Sequence, residues 1–349
     1  MTDDAPVFVT GGTGFLGVNL VRLLVARGRR VRVLRRAPGR VLGLDGDRVE
    51  FVPGDVTDVG AIHTAMRGCA EVYHVAARVE VAPWGVDRIR AVNVDGTRNV
   101  CAAALHNGVR RLVHTSSIAT IAAGTLDAPA DEDTAWNLER LRIPYYTTKR
   151  DAEAVVREYV DRGLDAVIVN PTYLVGPWDV KPSAGRMVIP AATGTLHFFP
   201  RRGGINFVDV RHAAEGHVLA MERGVRGARY ILGGENLSFR VFLARVADQA
   251  GAPAPRLALS YAAMYPVAAA GSVVGRLGVD RWRDVNLCVL RSACLEHYVT
   301  SENARATLRF PVSGVDDAIG DAIAWFREHG YMPHPRGVAS RPSSAPGAG

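Results

Sequence analysis

Tyr145 stands four residues before Lys149 in the run Tyr145-Tyr146-Thr147-Thr148-Lys149. On a helix that spacing puts a phenol and an ammonium on one face. A cation beside a phenol favours the phenolate and lowers its pKa from about 10. Such a phenol can give a proton to an oxygen, or take one from it, while a hydride moves at the attached carbon. The lysine is one of only two in the chain, the other being Lys181, among 42 basic residues. An amine kept in a chain that otherwise uses arginine is a candidate for amine chemistry. Ser116-Ser117 follows the apolar run that ends at His114-Thr115. A hydroxyl at the end of a strand can bond a substrate oxygen and polarise a carbonyl. Ser117 is the candidate for that role and Ser116 the alternative, while a turn or helix cap is what a lone serine there otherwise supplies.

A second constellation sits at the other end of the first half. Thr10-Gly11-Gly12-Thr13-Gly14-Phe15-Leu16-Gly17 follows a short apolar run and opens an amphipathic one. Gly11 suits a tight turn, Gly14 a close approach of backbone to a pyrophosphate, and Gly17 close packing of helix on strand. The free N–H groups of the helix start, with Thr13, Phe15 and Leu16 around them, would then face the phosphate charge. The next apolar run ends in Arg35-Arg36, where a site for NAD ordinarily places a carboxylate on the ribose 2′-hydroxyl. Two guanidiniums suit a 2′-phosphate instead. The expected cofactor is therefore NADP rather than NAD, with Arg40 as a weaker third contact. Asp55 and Val56, after the third apolar run, would line the same crevice; Asp55 either accepts from the adenine amino group or caps a turn.

These residues need elements to hold them. Apolar runs at 7–9, 31–34, 49–52, 72–75, 111–114 and 166–169 read as strands. Apolar side chains at helical spacing predict helices over 14–27, 87–106 and 145–162. Alternation of this kind gives an α/β, Rossmann-type, doubly wound parallel sheet. Beyond Pro171 prolines and glycines punctuate the chain. Residues 207–210 read as a return to the sheet and 230–232 as another strand. The expected domains are a dinucleotide-binding one (1–172 and 205–232) and a smaller, mostly helical C-terminal substrate domain (173–204 and 233–333). A Pro/Ser/Gly/Ala-rich tail at 335–349 reads as disordered.

Composition excludes several classes of function. The charge is +7, but the basic residues are dispersed and never run beyond Arg-Arg pairs, so no nucleic-acid partner is expected. Cys69, Cys101, Cys288 and Cys294 have no metal-ligand or CxxC spacing and read as small buried hydrophobes in a reducing cytosol. His212 and His217 are five apart, off the spacing of a helical ligand pair, so no metal is expected. The chain runs from its first residues straight into an apolar strand, which leads to a cytoplasmic expectation. Residues 257–275 carry no charge and are long enough to span a bilayer, yet they are small-residue-rich and interrupted by Pro266. A buried or pocket-lining helix is the favoured reading, with membrane-surface contact and a true span behind it.

Taken together, these motifs resemble the extended short-chain dehydrogenase/reductase superfamily, also described as the NAD-dependent epimerase/dehydratase family. Residues 10–17 look like its cofactor fingerprint, and Ser117, Tyr145 and Lys149 match its catalytic triad. Ala76 and Ala77 resemble its segment passing over the cofactor. Asn93 matches an asparagine tied to a structural water or proton relay. Asn170-Pro171-Thr172-Tyr173 resembles the loop that contacts nicotinamide through its backbone, and 207–210 a further signature. Within the superfamily the chain is most similar to the dihydroflavonol 4-reductase-like branch, and there to the hopanoid-associated sugar epimerase group, on residues 93–100, 179–182 and 230–237. Relatives in that branch use an arginine at the place of Arg36 for the 2′-phosphate.

The resulting expectation is an NADP-dependent enzyme interconverting a ketone and a secondary alcohol on a hydrophobic small molecule. Trp178, Ile189, Leu196, Phe198, Phe199 and the 257–275 segment would form an apolar pocket, with Lys181 near a polar group. The alternative is a nucleotide-sugar epimerase or dehydratase holding NAD tightly, with Arg201, Arg202 and Arg211 as pyrophosphate anchors. A noncatalytic NADP-binding regulator is the third reading. The chain is expected to be a monomer or a homodimer, because the helices at 87–106 and 145–162 could serve a dimer bundle or a core equally well.

Overall fold

The computed structural model describes residues 5–333 except 40, 45, 280, 281, 283, 312 and 313. Arg40 and the 335–349 tail therefore lie outside the described residues. The first strand, β1 (Val7–Thr10), is wholly buried, and the glycine turn after it leads into α1 (Phe15–Ala26). Strands β2 (Val31–Arg35) and β3 (Val49–Pro53) follow, then α2 (Val59–Met66), whose first turn is capped by the Asp58 carboxylate accepting from the Ala61 N–H. After β4 (Glu71–His74), helix α3 (Val86–Arg90) passes through a widened π-turn at Ala91–Asp95 into α4 (Gly96–His106). The helix expected at 87–106 is thus continuous but carries one wide turn, centred on Asn93. The first half closes with β5 (Arg111–Thr115), α5 (Pro144–Asp161) and β6 (Ala166–Pro171). Proline at the first position of α5 starts that helix without losing a backbone bond.

Next come β7 (Tyr173–Val175), α6 (Gly185–Ala192), β8 (Phe198–Pro200), β9 (Gly204–Asp209), α7 (Val210–Arg223), β10 (Arg229–Leu232) and β11 (Glu235–Ser238). The described chain ends with α8 (Phe239–Ala250), β12 (Leu257–Leu259), α9 (Tyr261–Arg276), α10 (Leu287–Ala293), β13 (Glu296–His297) and α11 (Asp316–Glu328).

Seven parallel strands form the main sheet in the order β3-β2-β1-β4-β5-β6-β10. Side chains alternate across it with the period of two that a strand imposes. Val7, Val9, Val33 and Val113 meet α1 and α7 on one face, whereas Phe8, Leu34, Val72 and Leu112 meet α2, α4 and α5 on the other. Both faces are covered, which is why these strands read as near-continuous apolar runs. The order reverses between β1 and β4, and that reversal opens a crevice at the carboxyl ends of the strands.

One strand departs from expectation. Residues 207–210 do not return to the main sheet: β9 joins β11, β13 and β7 in a small separate sheet, and the seventh strand of the main sheet is β10. The small sheet packs with α6, α8 and α11 around Phe207, Phe242 and Phe326, with the Phe207 and Phe242 rings stacked at 4.0 Å. A short apolar run followed by a helix looks the same in sequence whichever sheet receives it.

The 257–275 segment is a strand and a 16-residue helix, and no helix among the described residues is long and apolar enough to cross a membrane. Of the favoured reading, a buried or pocket-lining helix, the buried half is corrected, while Ser272 and Val273 line a groove against Pro83 and Trp84. Within α9 only Ala268, Gly271 and Gly275 are buried.

Candidate functional site

The glycine turn is shaped by contacts that leave no room for side chains. Gly11 has φ +70°, and a Cβ on it would lie 2.5 Å from the Ala76 nitrogen. A Cβ on Gly17 would lie 2.1 Å from the Gly11 oxygen. Gly14 sits at the start of α1 in extended conformation, with no side-chain cap and no acidic residue in the first turn. Thr13 and Gly14 are exposed, while Leu16 is buried and Phe15 half-buried against the core. An uncapped helix start beside a side-chain-free turn fits an anion such as a dinucleotide pyrophosphate.

At the end of β2 the two arginines part company. Arg35 lies over the Phe51 ring at 4.4 Å and donates to the Gly39 carbonyl. Arg36 is exposed, with Asp55 at 3.8 Å among the described residues. One Asp55 oxygen accepts from both the Thr57 N–H and its hydroxyl at 2.9 Å, so the turn-forming reading of this residue is realised. Val56 is buried, and its carbonyl accepts from Asn99. On the far side of the crevice the Ala76 N–H donates to Thr10 Oγ1 at 3.2 Å, and Ala77 follows half-buried.

Around the phenol the chemistry is concentrated. Tyr145 is 8% exposed and Lys149 2% exposed, both on the inward face of α5. The Ser117 hydroxyl lies near enough to the Tyr145 phenol to act on its titration, and itself accepts from the Ala119 N–H at 3.2 Å. The Lys149 ammonium donates to the Thr115 carbonyl at 2.7 Å rather than lying unengaged beneath the phenol. Burial pushes the Tyr145 phenol up to about 12, with the Ser117 hydroxyl pulling the other way. The lowering expected from the neighbouring ammonium is not seen: Lys149 is turned to the Thr115 carbonyl, and desolvation dominates the phenol. Burial also pulls Lys149 down to about 8, and the Glu153 carboxylate opposes that shift.

The two serines have distinct partners. Ser116 donates to Glu153 at 2.6 Å. The same Glu153 oxygen accepts from Thr120 at 2.6 Å and from Asn170 at 2.9 Å, while the other meets Arg157 and Arg229. These bonds hold the Glu153 carboxyl below its usual range against the opposing effect of burial. Sequence reasoning passed over Glu153. The signal was present, since Tyr145, Lys149 and Glu153 recur every four residues along one helix face.

Asn93 makes direct bonds. Its side chain accepts from the Arg78 N–H at 2.7 Å and donates to the Arg78 carbonyl and to Thr148. The wide turn therefore pins the 76–85 loop to α5. A buried chain also links Thr10, His74 and Thr97, with the His74 ring bonded at 2.7 and 3.0 Å. Pro171 ends β6, Thr172 is buried with its hydroxyl unpartnered, and the Tyr173 ring packs on Phe207 in the second core.

The expected apolar pocket is relocated. Trp178, Ile189, Leu196 and Phe199 belong to the second core, and Phe198 is exposed. The apolar side chains clustered with Tyr145 are instead Ala119, Leu138, Ile143 and Cys288, joined by Val81 and Leu295. They come from the loops after β4 and β5, from α10 and from the turn after it, whose packing could not be read from local patterns. Arg211 is paired with Asp209 and Asp321, both at 2.6 Å, and Arg201, Arg202 and Lys181 are exposed.

A parallel sheet with a glycine turn at its switch point, a phenol-lysine face and an end-of-strand serine defines a nicotinamide-dinucleotide enzyme of the extended short-chain dehydrogenase/reductase type. The chain belongs to the NAD-dependent epimerase/dehydratase family, whose model matches residues 7–233. It is 38% identical to a putative dihydroflavonol 4-reductase from Synechocystis, over 93% of this chain and 95% of that protein. It is 36% identical to sterol demethylase protein B of Methylococcus capsulatus, over 93% and 99%. Among solved structures, gox2253 superposes with a TM-score of 0.82 at 35% identity, covering 94% of this chain and 99% of that one. The family binds a nicotinamide cofactor, and the chain is an NAD(P)-dependent oxidoreductase of the extended short-chain dehydrogenase/reductase type.

Proposed function

We propose that this enzyme interconverts a ketone and a secondary alcohol on a hydrophobic small molecule, with NADP as its cofactor. The observation that carries the reading is the Tyr145 phenol buried in an apolar cluster, with Lys149 buried one helical turn further along α5 and the Ser117 hydroxyl near the phenol. Bound in the crevice, a reduced nicotinamide supplies the hydride for the substrate carbon. Tyr145 hands its proton to the substrate oxygen, and Ser117 orients that oxygen by a second hydrogen bond. The raised phenol pKa keeps the proton on Tyr145 at neutral pH, ready to be given. Lys149 holds the nicotinamide ribose and favours the phenolate left behind. Residues 11–17, Asp55, Val56, Ala76, Ala77, Asn93 and 171–173 shape the cofactor crevice.

NADP is supported by Arg36, the exposed guanidinium at the end of β2. Arg35 is occupied by the Phe51 ring and the Gly39 carbonyl and gives way to it. The epimerase alternative with tightly held NAD has less support. Arg211 is spent on two carboxylates, and Arg201 sits by β12 rather than by Tyr145.

The test is to measure affinity for NADPH against NADH and then follow loss of reduced-nicotinamide absorbance with hydrophobic ketones. Arg36→Asp is expected to weaken NADPH binding by about 10- to 100-fold, the worth of a charge-assisted bond, and to leave NADH binding nearly unchanged. An unchanged cofactor preference would refute the phosphate contact. Cofactor that co-purifies, with no net oxidation of added NADPH, would favour the epimerase.

A further inference from the structure

Seven of the fifteen exposed large apolar side chains of the described residues lie on α9, its end and the β8–β12 pair, and give that side of the molecule an apolar face. Tyr261, Tyr265, Val267, Val273 and Leu277 all point outward from α9 and its end, Leu277 being 79% exposed. The helix is held to the body by its small residues. A Cβ on Gly271 would meet the Val285 carbonyl, and one on Gly275 the Trp84 ring. Leu257 and Phe198, register partners across the β8–β12 pair, extend the face beyond the start of α9. No monomer gains stability from leaving such a face in water.

Charge within the segment is one-sided, and the exposed Asp284, next to the Val285 that packs on α9, is paired with Arg186. No acidic residue occurs between 257 and 279. Arg256 and Arg276 flank the segment and are exposed, and so are Arg201 and Arg202. The Arg201 N–H is bonded to the Leu259 carbonyl at 2.8 Å, which fixes that pair beside the start of α9. An apolar face with exposed tyrosines and an arginine rim matches the acyl boundary and phosphate layer of a lipid leaflet. A second copy, docked face to face, would instead bring its own arginine rim against this one.

We propose that α9 and the β8–β12 ribbon dock this enzyme onto an anionic phospholipid bilayer, with the helix lying in the interface plane. The 16-residue helix is too short to span. The docked face adjoins the site. A groove of about 360 Å³ runs between Pro83, Trp84 and the α9 residues Ser272, Val273, Arg276 and Leu277. Asn286, at the start of α10, bonds the Val81 carbonyl, and Val81 and Cys288 both belong to the cluster around Tyr145. Docking would place that side of the site against lipid. This last consequence alone rests on the hydrophobic-substrate reading.

The experiment is co-sedimentation of the full chain with phosphatidylglycerol/phosphatidylcholine vesicles and with pure phosphatidylcholine vesicles. Binding is expected on the anionic vesicles and should weaken with salt. Val273→Glu with Leu277→Glu should lower the partition coefficient at least about tenfold. Arg201→Gln with Arg256→Gln should lower it about fivefold per arginine on anionic vesicles only. NADPH affinity of each variant, measured without lipid, reports an intact fold and keeps failure of docking separate from failure of the redox assignment. Tyr261→Ser with Tyr265→Ser serves if the glutamate pair loses that affinity. No sedimentation with either vesicle, or binding indifferent to the apolar variants, overturns the proposal. So does a wild-type dimer in light scattering that the variants split, without any lipid binding.

Discussion

Lys149 is pulled by two opposed forces. Burial disfavours its charge and lowers it to about 8, while the Glu153 carboxylate one turn further on favours the charge. The Glu153 carboxylate in turn is held by Ser116, Thr120, Asn170 and Arg229. In Glu153→Gln the support for the ammonium disappears and desolvation acts unopposed, so the folded-state pKa of Lys149 falls further. If the charged form of Lys149 works in the reaction, the alkaline limb of the kcat/KM profile should move to lower pH by about one unit. A purely structural Glu153 would lower stability and leave that limb where it was. The stability loss itself is expected to be about 3 kcal/mol by urea unfolding, because Arg229 and Arg157 lose a largely buried partner. Tyr145→Phe is the complementary residue-scale test. It removes the proton and leaves the ring, so turnover should fall by about 100-fold or more while NADPH affinity is retained. Activity unchanged in that variant would support the noncatalytic reading.

At the scale of elements, the glycine turn depends on how closely α1 approaches β1. A Cβ on Gly17 would stand 2.1 Å from the Gly11 oxygen and 2.7 Å from the Gly12 Cα, with backbone on both sides and nothing flexible to yield. Gly17→Ala should therefore push α1 off the sheet, costing about 2–3 kcal/mol and displacing the helix start from the cofactor. Urea unfolding and NADPH titration check both effects; wild-type values in either would show that the packing is looser than the geometry implies. Gly28, also near α1, has nothing within 4 Å of an added Cβ but has φ +80°. Its alanine variant would test strain alone, with NADPH affinity unaffected. Helices α4 and α5 illustrate a different element-scale point. Their apolar stripes are buried on the sheet, and on the outer side ion pairs join Arg90 of α3 to Asp151 of α5 and Arg98 of α4 to Glu158 of α5, at 2.7 and 2.8 Å. Those stripes serve the core.

At the scale of the whole molecule, four histidines among the described residues are buried in neutral form. Burial holds His74 at about 3 and His217 and His297 at about 4, and it holds His114 well below its usual value. An unfolded histidine titrates near 6.5. Below that pH the unfolded chain takes up protons that the folded chain refuses, so stability is full above 6.5 and falls as the pH drops toward 4. Each histidine should contribute a loss on the order of 2 kcal/mol at pH 5. Most carboxylates titrate below that window, which isolates the histidine effect between pH 6.5 and 5. Unfolding midpoints measured across it should fall steadily; a flat profile would show that these rings become protonated in place. Glu132 and Asp179, whose carboxyls burial raises, act in the opposite sense at the acid end.

Local spacing was enough to expose the parts of this protein that local geometry builds. The glycine turn, the strand–helix alternation and the Tyr145–Lys149 face are each written within a few residues, because a turn, a strand and a helix have fixed short periods. Tertiary structure alone decided the questions that depend on neighbours distant in sequence. It decided which serine is tied to Glu153 and which is left near the phenol, which of Arg35 and Arg36 is engaged by Phe51 and Gly39, and which sheet receives β9. It also exposed an uncharged helix that composition had suggested would be buried. The physical reason is common to all four. A side chain's partners, desolvation and exposure are set by elements that arrive from elsewhere in the chain, and those long-range contacts leave no period in the sequence.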